Sequence, residues 1–308
     1  MIKINGEVLY GRRYRVIVAA DDGNALDVSQ LRCSFRITKA MDAEPNYSET
    51  SIFNLAIGTE NALVQSGQRI FIEAGYEGDQ YGLIYKGRVI QPIRSKEEGT
   101  TYRLTLISLD GDDFANNAFV STCLTRGQNA QSVLGACIAD AGSVIERGAI
   151  SEGLSGVKLS RGKVMFGQPQ EYLRQLAKSQ NAIYYLNDGQ VNFIKAADLP
   201  PGEIMELNPG SGLIGEVTQN EDGVTVRSLL NPRINLNTLI HVGGEYVTSA
   251  RVQKDKQAQA LPGGGVYKVI KLTHTGDTRG NDWYTEMECL AQPGYVPSMH
   301  TGGDNYVF

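Results

Sequence analysis

Residues Val266–Ala291 read VYKVIKLTH, then TGDTRGND, then WYTEMECLA. The return run sets Trp283, Thr285, Met287 and Cys289 on one side and Tyr284, Glu286 and Glu288 on the other. That is the period-2 pattern of a half-buried strand, and the turn-rich loop before it predicts a β-hairpin. The pattern has an earlier copy. LIYKGRVIQP (Leu83–Pro92) leads through RSKEEGTT to YRLTLISL (Tyr102–Leu109). Tyr85-Lys86 matches Tyr267-Lys268, and Tyr102, Leu104 and Leu106 match Trp283, Thr285 and Met287. Setting Tyr102 against Tyr284 would equalise the spacing, but a one-residue slip exchanges the two sides of a strand. Trp283 is therefore the preferred mate of Tyr102.

The repeat extends upstream. TSIFNL (Thr50–Leu55) and IFIEAGY (Ile70–Tyr76) precede the first hairpin; VTVRSL (Val224–Leu229) and LIHVGGEY (Leu239–Tyr246) precede the second. An internal duplication of an antiparallel β unit accounts for this; two unrelated hairpins of similar composition are the plainer alternative. The first unit, residues 1–113, adds strands at Tyr14–Ala19 and Leu31–Thr38. The latter alternates, with Leu31, Cys33, Phe35 and Ile37 inward and Arg32, Ser34, Arg36 and Thr38 outward. Glu44-Pro45-Asn46 is expected to break the chain before Thr50, and Thr59 to cap a short helix over Glu60–Gln65.

Residues 114–205 change period. Gln128–Ala141 predicts a helix with Val133, Leu134, Cys137 and Ile138 on one side. Ser143–Lys163 is rich in glycine and serine and reads as a loop. Pro169–Gln180 predicts a second helix, Pro169 in its first turn and Tyr172, Leu173, Leu176 and Ala177 inward. AIYYL and QVNFI flank Asn187-Asp188-Gly189, and Asp-Gly between apolar runs is a strong hairpin signal. This is a small inserted α+β module, and Pro200-Pro201-Gly202 marks its exit. The second β unit, residues 206–291, carries an extra polar, then Gly-rich segment, Lys254–Gly265. Residues 292–308 combine Pro293 and Pro297 with Tyr295, Tyr306 and Phe308. They read as an extended arm that a neighbour orders. The fold class is α+β, mainly β.

A chain of 308 residues exceeds the usual single domain. Hydrophobic content of 41% and charge of 20% belong to an ordinary folded protein. No apolar run is long enough to span a bilayer, and MIKINGEVLYGRR lacks the apolar core of a signal peptide. Cys33, Cys123, Cys137 and Cys289 form no CxxC pair, so reduced thiols from a reducing compartment are expected. The net charge of −5 is spread out: 13 basic and 15 acidic side chains up to residue 112, 8 and 8 over 113–205, and 8 and 11 beyond. No basic stripe offers itself to phosphates, which excludes a tight nucleic-acid binder.

The chemical inventory is thin. His241 in an apolar strand, His274 at a strand end and His300 in the tail form no HExxH or HxH pattern. There is no GxSxG elbow, no GxxxxGK[ST] and no GxGxxG opening a helix, and Gly263-Gly264-Gly265 has no helix after it. Glu286 and Glu288 share a strand face, and a glycosidase needs only two carboxylates. Next to core-facing Met287 and Cys289 they read as a solvated face. Asp110, Asp112 and Asp113 lack the spacing and closing Glu of a calcium loop and read as an acidic turn open to solvent. No catalytic, cofactor-binding or metal-binding residue is assigned, and neither a cofactor nor enzymatic activity is expected.

Several stretches resemble one family. They are LRCSFRITKAMDAEPNYSETSIFNLA (Leu31–Ala56), RIFIEAGYEG (Arg69–Gly78), FGQPQEYLRQLAKSQNAIYYLNDGQVNFI (Phe166–Ile194), and SLLNP (Ser228–Pro232) followed by Val266–Ala291. Together they resemble the baseplate hub proteins of contractile phage tails. Arg233–Asn237 (RINLN) departs from the Pro-Gly-type turn that tends to follow SLLNP in that family. The resemblance implies two tube-like β domains per chain and a homotrimer closed as a pseudo-six-fold ring. It implies a tail tube or tube-initiator protein on one side, a spike on the other, and DNA passing through the channel without specific binding. It also implies a place in the virion's tail baseplate, after assembly in the host bacterial cytoplasm. Each hairpin would then fill its own domain core, Tyr102, Leu104 and Leu106 in one and Trp283, Met287 and Cys289 in the other. Glu286 and Glu288 would face the channel or the next unit and repel phosphates, with Arg103 and Thr105 at those places in the first copy. A β-rich virion adaptor or receptor-binding module, and a tail-associated cell-wall hydrolase using Glu286 or Glu288, are the alternatives.

Overall fold

Alternating apolar residues lay out one long sheet made from two copies of a five-strand pattern. The computed structural model describes residues 11–291 apart from 21–24, 65–67, 79, 98, 100, 141–144, 157, 196–197, 199–202, 221–222 and 251–263. It also describes two short antiparallel pairs, Lys3–Ile4 with Glu7–Val8 and Val296–Pro297 with Asn305–Tyr306. Pro200-Pro201-Gly202, His300 and nearly all of Lys254–Gly265 and of the arm lie outside the described residues.

The first unit holds β1 (Arg12–Ala19), β2 (Cys33–Ala40), β3 (Asn46–Phe53), α1 (Ile57–Leu63), β4 (Arg69–Tyr76), β5 (Tyr81–Glu97) and β6 (Thr101–Asp110). Its strands lie antiparallel in the order β1-β4-β5-β6-β3-β2. Cys33, Phe35 and Ile37 point into the core, as their spacing predicts. Two local expectations shift. Residues 41–45 do break the chain, but β3 already starts at Asn46, whose side chain accepts the Ala40 N–H at 3.1 Å across the connection. Helix α1 starts at Ile57 with Ala56 at its N-cap. Alanine has no side-chain acceptor, and Thr59 lies inside the first turn.

The module between the β units contains β7 (Val120–Leu124), α2 (Ala130–Asp140), β8 (Glu146–Ile150), β9 (Lys163–Gly167), α3 (Pro169–Gln180), β10 (Ala182–Asn187) and β11 (Gln190–Lys195). Val133, Leu134 and Cys137 of α2 and Leu173, Leu176 and Ala177 of α3 are buried together. Asp188 and Gly189 both take positive φ, 52° and 78°, the geometry of the expected two-residue hairpin turn. Part of the expected Ser143–Lys163 loop is a strand. β8 pairs parallel with β11, and the Asn192 side chain takes the Ala149 N–H at 2.8 Å. ERGAI shows no buried alternation, so backbone bonding rather than burial orders it.

The second unit comprises β12 (Val217–Gln219), β13 (Gly223–Leu229), β14 (Leu239–Val242), β15 (Val247–Ala250), β16 (Gly265–Asp277) and β17 (Trp283–Ala291). Its order β12-β13-β17-β16-β14 repeats β2-β3-β6-β5-β4. Both long hairpins carry a bulge at the same place, Ile90 between Val89 and Gln91, and Ile270 between Val269 and Lys271. Val89 lies opposite Ser108 and Val269 opposite Cys289, which sets Tyr102 level with Trp283. The first strands differ from the sequence match. The bulge sets Tyr267 level with Gly87 rather than Tyr85, because it anchors the register and the Tyr-Lys pairs do not.

Three apolar clusters follow the three parts of the chain. The β10–β11 hairpin stands between two of them. Tyr184, Leu186, Val191 and Phe193 belong to the middle cluster, while Tyr185 and Ile194 enter the cluster of the second β unit. Cys33, Cys137 and Cys289 are buried and Cys123 is exposed.

Candidate functional site

The two β units meet in an unbroken ladder. The first part of β16, Gly265–Lys268, pairs with β14, and its far part, Lys271–Asp277, runs antiparallel to Ser34–Ala40 of β2. The sheet therefore continues from one unit into the other, and two strand edges are consumed inside the chain. The hairpin tip overhangs the first unit. Trp283 is buried, but in the first unit's core rather than its own. Its ring meets Phe35 at 5.6 Å and Tyr14 at 6.1 Å, both edge-on, and Arg12 lies over it at 5.4 Å. Arg12 also donates to the Gly280 and Asn281 carbonyls at 2.6 and 3.0 Å. Tyr102, its counterpart, is 54% exposed rather than inward. Among the described residues no second unit stands over it, whereas Leu104 and Leu106 are buried as expected.

Beneath the joint, polar side chains from all three parts converge. Lys39 of β2 is 1% exposed and donates to the Asp188 carboxylate at 2.6 Å. Asp110, at the end of β6, accepts the backbone N–H of Asp188 and, at 2.8 Å, that of Gly189. Asn46 donates to the Leu186 carbonyl at 2.7 Å. The Asp-Gly turn of the inserted module is thus held by residues of the first β unit. Burial pushes the Asp110 carboxyl up to about 6, helped by Asp188 beside it and opposed by Lys39 and the two N–H donors. His274 lies inside β16, not at its end, and is 2% exposed. Burial, with Lys39 adding to it, pulls its imidazole down to about 3. The neutral ring sits 2.8 Å from the Thr285 hydroxyl.

This arrangement corrects the solvated-turn expectation at Asp110, which is 2% exposed. The signal was present: Asp110 continues the inward phase of Leu104, Leu106 and Ser108, as Lys39 continues that of Cys33, Phe35 and Ile37. Asp113 instead forms a two-oxygen ion pair with Arg88 at 2.6 and 2.7 Å. Glu286 and Glu288 face outward as predicted. They are not a bare acidic face, since Arg227 lies 3.8 Å from Glu286 and Lys271 lies 2.8 Å from Glu288. His241 contacts Glu206 at 3.0 Å. Among the described residues no group of three or more His, Cys, Asp or Glu side chains is placed to hold a metal ion, and no helix is long and apolar enough to cross a membrane. What the geometry offers is a joint between two β units of one sheet.

No family model matches the sequence. No curated protein matches it either. Solved structures do. The 43 kDa tail protein of prophage MuSo2 from Shewanella oneidensis aligns over 91% of this chain and 97% of its own, with a TM-score of 0.59 at 11% identity. The tail protein from Neisseria meningitidis gives 0.59 at 12% identity over 91% and 97%. An E. coli component of the type VI secretion system, similar in structure to the phage tail proteins gp27 and gp5, gives 0.56 at 8% identity over 95% and 80%. The chain therefore shares its fold with these phage tail and secretion-system proteins, and in it a repeated antiparallel β unit carries an inserted α+β module.

Proposed function

We infer that the chain is a structural hub of a phage-tail baseplate. It works as a homotrimer whose six β units close into a pseudo-six-fold ring around a DNA channel. The observation that carries this is the joint itself. Two units with the same strand order sit side by side in one sheet, so a chain is already two neighbouring members of a ring. Three chains close it as a cyclic group. A six-fold tail tube or tube-initiator protein fits one side of such a ring and a three-fold spike the other. The division into residues 1–113, 114–205, 206–291 and an arm, 292–308, follows from the same repeat. The even charge distribution suits DNA that passes without being held, although the outward faces are ion-paired rather than acidic. A hydrolase is not favoured. Glu286 and Glu288 stand on an exposed strand face tied to Arg227 and Lys271, without the enclosed acid that glycoside cleavage requires. Electron microscopy of the purified protein tests the inference. Particles with six lobes, true three-fold symmetry and an open centre are expected. Particles of another symmetry, or with a filled centre, would overturn it.

A further inference from the structure

The chain holds one unit-to-unit joint and the open half of a second. In the joint it holds, Lys271–Asp277 ladders onto β2 and Trp283 is 3% exposed. Counting from the shared bulge, Gln91–Glu97 of β5 is the counterpart of Lys271–Asp277. One edge of Gln91–Glu97 pairs with β6. On its other edge no strand pairs among the described residues. Tyr102, the counterpart of Trp283, is 54% exposed, and Ile93 on the open strand is 39% exposed. An unpaired edge is a template for another strand, and an aromatic beside it supplies burial on contact. Pro92 withholds one backbone donor and Lys96 places a charge there, devices that reject indiscriminate pairing.

The acceptor follows from the same register. Glu49 and Thr225 occupy equivalent places, so Arg36 of β2 corresponds to Thr218 of β12. Within the chain that edge of β12 carries β15, in a short parallel ladder interrupted by a register shift. Parallel pairing is the weaker kind per residue. We propose that the Gln91–Glu97 edge takes β12 of a second copy of this chain, in place of β15, and that the second copy covers Tyr102 as the first unit covers Trp283.

This rests on the ring described above, and paired cysteines separate the two. At the internal joint the Thr38 and Thr273 hydroxyls are 3.4 Å apart, so side chains on that face approach closely enough to bridge. Arg36 lies opposite Thr275 two residues on. In a Cys123→Ser background, Arg36→Cys with Thr275→Cys should oxidise to a bridge within one chain. Ser95→Cys with Thr218→Cys, the counterpart pair, should give covalent dimers and trimers that neither single variant forms and that reductant reverses. Trimers by native mass with a closed internal bridge but no Ser95–Thr218 link would overturn the edge assignment and leave the ring standing. A monomer at every concentration would overturn both. Tyr102→Ser should reduce the trimer fraction by about tenfold or more, as loss of a central aromatic anchor does, while the melting temperature of the dissociated monomer at low protein concentration stays unchanged. An unchanged trimer fraction would remove Tyr102 from the interface.

Discussion

Trp283 and Tyr102 hold the same place in the repeat and differ in what stands over them. Trp283→Ala empties a packed site and should cost about 3–5 kcal/mol in urea unfolding. Tyr102→Ala removes an exposed ring and should change monomer stability by no more than about 0.5 kcal/mol. The polar cluster adds a pH dependence. The folded pKa of Asp110 is raised to about 6, so its stabilising contribution is present below the unfolded value of 3.8 and lost as pH rises through 6. His274 runs the other way. Its folded pKa is lowered to about 3, so its contribution is present above 6.5 and lost as pH falls through 3. Unfolding in urea at pH 7 and pH 4 should therefore show the gap between the parent and Asp110→Asn widening in acid, while the gap to His274→Gln narrows. Gaps that do not move with pH would place these groups in ordinary solvent. Much of this was legible in the sequence. The turn at Asp188-Gly189 was, and the inward phase of Lys39 and Asp110 was open to view. What was not legible is that Asp110 holds Asp188 across 78 positions of sequence separation, because period-2 patterning names a face and not the element opposite it.

Both long hairpins and most of their buried faces, Tyr102 apart, followed from alternation, and the limits of that signal are visible in the elements it missed. Glu146–Ile150 lacks buried alternation, being ordered by bonds from β11 and Asn192. Helix α1 begins at a residue with no capping chemistry. The shared bulge, which fixes the true register of the repeat, has no sequence signature beyond Val-Ile in both copies. The repeat also makes a prediction about proline. Pro92 is native on β5, where one edge is open, and its counterpart Leu272 lies between β2 and β17. Leu272→Pro should break a ladder and cost about 3 kcal/mol or more, or abolish folding. Stability within about 1 kcal/mol of the parent would show that β16 is not laddered on both sides.

At the scale of the whole molecule, the two units are neighbours in one sheet, and the proposed ring sets a further unit on the Gln91–Glu97 edge. Purified protein should release no soluble fragments from peptidoglycan; release that is lost in Glu288→Gln would contradict a purely structural role. The ring is decided by native mass spectrometry of the purified chain. A species of about 100 kDa, three times the 33.5 kDa chain, is the expected outcome. A single 33.5 kDa species at every protein concentration would contradict the ring.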